Sequence, residues 1–110
     1  MILFEGGIYM SDRKPWYLVH ADEVGSAYLH FRHAVHEKSV LDNRTRELLM
    51  LALACAFRCP HCTEDHILGA LEAGASKQEV TETLLLTAYE SAGTQLNWTR
   101  ELYEKYLGEK

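Results

Sequence analysis

Only two prolines interrupt the 110-residue chain, and no segment alternates apolar and polar residues with period two. Those two scarcities argue against an architecture built on sheets. Positive charge is also scarce: 11 Lys and Arg face 16 Asp and Glu, for a formal net charge of −5. No basic run interleaved with aromatics occurs, so no general affinity for nucleic acid or an acidic membrane is expected. Long apolar runs are lacking too. The longest, Leu48 to Phe57, has ten residues, against the roughly 20 a helix needs to cross a bilayer. The opening Met1-Ile2-Leu3-Phe4-Glu5-Gly6-Gly7 has neither a charged lead nor a long apolar segment, so it does not read as a secretory signal. A cytoplasmic protein whose thiols are kept reduced is expected, with one domain over residues 1–110.

What is present is helical periodicity. Residues 1 to 21, with Gly6-Gly7 and Pro15, show no clear period and read as an irregular arm tied down by Trp16, Tyr17 and Leu18. From Asp22, a suitable N-cap, the residues Val24, Ala27, Tyr28, Phe31, Ala34 and Val35 recur at three and four and form one apolar stripe. His30, His33 and His36 lie beside or opposite it and read as a solvated face, because no cysteine or carboxylate cluster completes a metal site with them. Asp42 caps a second helix. Its run from Leu48 to Phe57 implies burial on all sides and a place at the centre of the domain. A third helix opens at Cys59-Pro60, with proline at its first position, and ends at Gly74. Ser76-Lys77-Gln78-Glu79 is a capping box for a fourth, which Val80, Leu84, Leu85, Leu86 and Ala88 mark as largely buried. Gly93-Thr94 is a place for that helix to break or bend before a last amphipathic stretch. The expected fold is all-α, four to six helices around Leu48–Phe57.

The three cysteines fall within eight residues, Cys55, Cys59 and Cys62, so they do not form a staple across the chain. Cys59, Cys62 and His66 are spaced at three and four, which puts all three on one stripe of a helix. That stripe continues through the small residues Gly69, Ala70 and Ala73, leaving room for another helix or a ligand to approach. Cys59 falls at the N-cap position, where free amides and the helix dipole favour a thiolate. His61 adds charge near the sulfurs, and His66 is placed to accept a proton from Cys62. A disulfide at that spacing forms and breaks readily, so the pair reads as a redox-active dithiol. Zinc is a rival, with Cys59, Cys62, His66 and either Glu47 or His61 as ligands, but zinc sites usually add a second ligand pair elsewhere. Covalent haem does not fit, because Thr63 rather than histidine follows the second cysteine. A thioredoxin-type fold would need a βαβ pattern upstream, where a buried helix is expected instead. Two purely structural cysteines are the remaining alternative. Cys55, inside the apolar run, reads as inert core. Neither a metal nor a cofactor is expected.

Glu47 followed by Cys59, His61, Cys62 and His66 resembles the active-site signature of alkylhydroperoxidase D-like proteins, within the carboxymuconolactone decarboxylase family of small all-helical proteins. The flanks agree over residues 40 to 92: Arg46-Glu47-Leu48-Leu49, Leu51-Ala52, Ala70, Gly74-Ala75-Ser76 and Glu79-Val80. The resemblance implies a thiol-dependent peroxidase or disulfide reductase acting on organic hydroperoxides. Glu47 and His66 would form a proton relay serving Cys62, Cys59 would be the more exposed partner for exchange, and His61 would be the additional histidine. It also implies an external dithiol reductant, such as a lipoyl or thioredoxin-like protein, and a homo-oligomer, trimer or hexamer. The decarboxylase members do not rely on a cysteine pair, so an intact dithiol argues against lactone chemistry. One geometric demand follows. Glu47 precedes Cys59 by twelve residues, about 18 Å along an unbroken helix, so it joins the site only if the chain reverses near Arg58 or another subunit intervenes.

Overall fold

The structure, a computed structural model, describes residues 2–4, 7–9 and 14–108. Among these, five helices follow a small hairpin: β1 (Ile2–Phe4), β2 (Gly7–Tyr9), α1 (Trp16–His20), α2 (Asp22–Glu37), α3 (Asn43–Ala56), α4 (Pro60–Glu72) and α5 (Lys77–Leu107). The all-α class holds. Among the described residues before Asp22, 2–4, 7–9 and 16–20 take up regular structure that the sequence does not imply: β1 and β2 pair antiparallel with Leu3 opposite Ile8, β2 runs beside α4, and α1 follows. Three-residue strands are too short to display a period, although two apolar triplets separated by Glu5-Gly6 are a hairpin signal.

The caps set the helix boundaries. Asp42 accepts from the Thr45 amide at 2.7 Å and opens α3. Ala21, not Asp22, holds the cap position of α2, and Asp22 is the first helical residue. Ser76 and Glu79 close a reciprocal capping box on α5, at 3.0 and 2.8 Å. Gly74, at φ +96°, turns the chain out of α4 in a conformation that only glycine adopts without strain. Helices α3 and α4 pack as a hairpin, and α5 lies against α3.

The core is small. Leu51, Ala54, Ala70 and Ala75 are the buried apolar residues among those described. The run Leu48–Phe57 is central but not enclosed, because Leu49, Leu53 and Phe57 are 50, 56 and 78% exposed. A chain of this length has too few helices to cover every face of α3. The α2 stripe is exposed as well, at Val24, Tyr28, Phe31 and Val35, while Leu29, Arg32 and His36 are half-buried. Contrary to the sequence reading, α5 runs unbroken through Gly93 and buries no residue fully. One glycine costs a helix about 1 kcal/mol, which the capping box and the 31-residue length outweigh.

Candidate functional site

The reversal that Glu47 requires is present. At the end of α3 the Cys59 amide donates to Ala54 O at 3.0 Å and the Arg58 amide to Cys55 O at 3.1 Å, the two bonds of a Schellman turn. Arg58 sits at its left-handed position, φ 60°, where glycine is the usual occupant. The turn folds α4 back along α3. Cys59 then caps α4, its Sγ accepting from the Cys62 amide at 3.2 Å, with Pro60 at the first helical position. Cys59 and Cys62 are joined as a disulfide with their Cα atoms 5.3 Å apart.

The hairpin brings Glu47 to His66 across 19 residues of sequence. Glu47 Oε1 lies 2.8 Å from His66 Nδ1, with side-chain exposures of 3 and 19%. A buried carboxylate needs such a partner. With Nδ1 donating to the carboxylate, the lone pair falls on His66 Nε2, free to take a proton. The small-residue stripe permits this approach. Gly69 is buried, and a Cβ there would lie 2.7 Å from Glu47 Cδ, inside the carboxylate's own space. Arg46, also buried, donates to Leu41 O at 3.1 Å and to Asn43 Oδ1, which ties the first turn of α3 to the loop before it.

His61 is set apart from that pair. It is 60% exposed and lies 3.5 Å from Asp65 Oδ2 one turn along α4. Asp65 carries no signal in the sequence, where it is a single acid on a helix. Its side chain is 14% exposed, and its Oδ1 is buried with no hydrogen-bond partner among the described residues. Burial pushes the Asp65 carboxyl above its ordinary range, opposed by His61, His66 and Arg32. From α2 the Arg32 side chain feels the charges of the site: its guanidinium is held below its usual range by burial, against the pull of Asp65 and Glu47. His36 Nδ1 is 2.9 Å from Arg32 O. Among the described residues, no three histidine, cysteine or carboxylate side chains are grouped as metal ligands.

Cys55 departs from the expectation of inert core. It is a free thiol, half-buried, and lines a cavity of about 560 Å³ together with Arg58, Cys59, Pro60, Thr63, Ile67 and Leu68. The walls are mainly apolar, and one edge of the disulfide is open to them.

A helical hairpin that presents a dithiol at the start of one helix and a buried carboxylate–histidine pair between the two defines a class of small all-helical CxxC proteins. The chain belongs to the carboxymuconolactone decarboxylase family, whose model matches residues 22–105, a wider span than the 40–92 legible in the motifs. It is 33% identical over 70 residues to an uncharacterized protein, number 4, of the cox locus of Paracoccus denitrificans, covering 64% of this chain and 63% of that relative's length. A crystal structure of a Methanobacterium thermoautotrophicum protein superposes with a TM-score of 0.73 at 32% identity, over 80% of this chain and 96% of that one. No helix among the described residues is long and apolar enough to cross a membrane.

Proposed function

We propose that the protein is a thiol-dependent peroxidase or disulfide reductase that works through the Cys59–Cys62 dithiol. The observation that carries this reading is the disulfide at the start of α4 beside the buried Glu47–His66 hydrogen bond. In the reduced protein one thiolate attacks the terminal oxygen of a hydroperoxide. The S–O bond forms, the O–O bond breaks, and the alkoxide leaves as the alcohol after taking a proton. The second thiol then displaces hydroxide from the sulfenic acid, giving the disulfide and water. His66, one turn from Cys62, accepts and returns the protons, and Glu47 holds its ring and stabilises the imidazolium. His61, exposed between the two cysteines in sequence, meets an incoming substrate or partner. An external dithiol protein of the lipoyl or thioredoxin kind restores the pair by exchange. The apolar cavity beside Cys59 suits the alkyl part of an organic hydroperoxide.

The test is turnover of cumene hydroperoxide with a supplied dithiol. Cys59→Ser and Cys62→Ser are expected to lose activity to the background rate. Glu47→Gln is expected to lose on the order of 10²-fold, within the range for a group that supports general acid–base catalysis. Equal rates in all four proteins would sink the proposal. Lactone decarboxylation, the chemistry in the family's name, would survive loss of both cysteines and is measured on the same variants.

A homo-oligomer, trimer or hexamer, belongs to the same proposal. Its support is the apolar surface that one chain leaves exposed on α2, α3 and α5.

A further inference from the structure

We propose that Cys55 is a third member of the redox site, which enters the disulfide by bonding to Cys59 and releases Cys62 as a thiolate. Two observations meet here. Cys55 is a free thiol on the wall of the same cavity as Cys59, and both are half-buried. The Schellman turn independently lays the backbone of Cys59 on the last turn of α3, the turn that carries Cys55, through Cys59 N to Ala54 O and Arg58 N to Cys55 O. A Cys55–Cys59 bond therefore closes a short loop across a reversal the chain already makes, whereas a Cys55–Cys62 bond would have to pass the first turn of α4.

The step needs no outside reagent. Deprotonated Cys55 Sγ attacks Cys59 Sγ, the Cys55–Cys59 bond forms, and the Cys59–Cys62 bond breaks with its electron pair leaving on Cys62. The proton lost by Cys55 balances the one Cys62 can take up through His66, and the oxidation state of the protein is unchanged. The disulfide then has two positions that share Cys59. In the second position the oxidised protein presents a Cys62 thiol next to the Glu47–His66 pair, ready to attack a partner's disulfide.

The inference rests on the dithiol reading and not on the peroxide. Fully oxidised protein is alkylated with iodoacetamide at neutral pH without denaturant, and the labelled peptides are mapped. Label on Cys62 as well as Cys55 is expected, with complete loss of the Cys62 label in Cys55→Ser; label confined to Cys55 would overturn the proposal. A second arm treats Cys62→Ser with oxidised glutathione and serves also if Cys55→Ser does not fold. An internal Cys55–Cys59 bridge is expected, a monomer lighter by about 2 Da for the two hydrogens lost. A stable glutathione adduct on Cys59 with no bridge would count against the exchange. Neither arm contains hydroperoxide. Bridging without turnover therefore sinks the peroxidase reading alone, and turnover without label on Cys62 sinks this one alone.

Discussion

Gly69 and Glu47 divide one small volume between two helices, and the carboxylate occupies what a side chain on α4 would take. Gly69→Ala is therefore expected to push Glu47 off His66. Overpacking of this kind costs about 1–3 kcal/mol, read as a lowered Tm, together with a loss of turnover approaching that of Glu47→Gln. Alanine's better helix propensity works the other way, so an unchanged Tm with full activity would show that Glu47 has room to move. Asp65 gives a prediction of opposite sign. Its carboxyl is raised by burial, so the folded state holds its proton to higher pH than the unfolded chain, and stability falls as pH rises from about 3.8, the ordinary value, through the raised folded one. Asp65→Asn should abolish that fall and leave the protein more stable at neutral pH than its parent, as denaturant midpoints at pH 4 and pH 7 would record. The Cys59–Cys62–His66 stripe was legible in the sequence because its spacing is local. The placement of Cys55 and the isolation of Asp65 Oδ1 were not, since both depend on what the reversed chain brings alongside.

Among the elements, the turn between α3 and α4 positions everything else. That a reversal had to occur near Arg58 followed from the distance between Glu47 and Cys59. Its form did not, because the left-handed position carries arginine where glycine would have announced it. Arg58→Gly is expected to remove a left-handed strain of about 1 kcal/mol, partly offset by the greater freedom of glycine in the unfolded chain. A Tm that rises or holds is the expected result, and a clear fall would mean that the guanidinium's contacts along the cavity outweigh the strain. The caps at Asp42, Cys59 and Ser76 were equally plain from sequence, since each is a short-range match of side chain to amide. Burial was not. The periodicity of α2 and the run in α3 state correctly which faces are apolar, but they cannot say whether the chain itself or something else covers them.

For the molecule as a whole, that question has a measure. The radius of gyration is 18.3 Å and the extents are 59 × 37 × 25 Å, whereas a compact chain of this length has a radius of about 13 Å. An open groove of about 630 Å³ runs between α3 and α5, floored by Leu48, Leu49, Ala52, Leu53 and Leu86. Such a shape suits a protomer whose core is completed by its neighbours. Light scattering is expected to give a multiple of the 12.6 kDa chain mass. Leu53→Glu, which should be nearly silent at a site 56% exposed if the chain stood alone, is expected to lower that multiple and the Tm together. A strictly monomeric mass at micromolar concentration would refute the assembly.

The outer part of α5 follows from the same shape. From Gln95 to Leu107 every residue except Thr99 is exposed, and a helical segment of that length is marginal in water without tertiary support. If neighbours complete the core as proposed, its amide protons would act as an internal gauge of concentration. They should exchange with deuterium within the fastest class when the protein is dilute and become protected as it is concentrated, while the amides of α3 around Leu51 change far less. The concentration at which that protection sets in would give the association constant of the proposed assembly without any label or mutation.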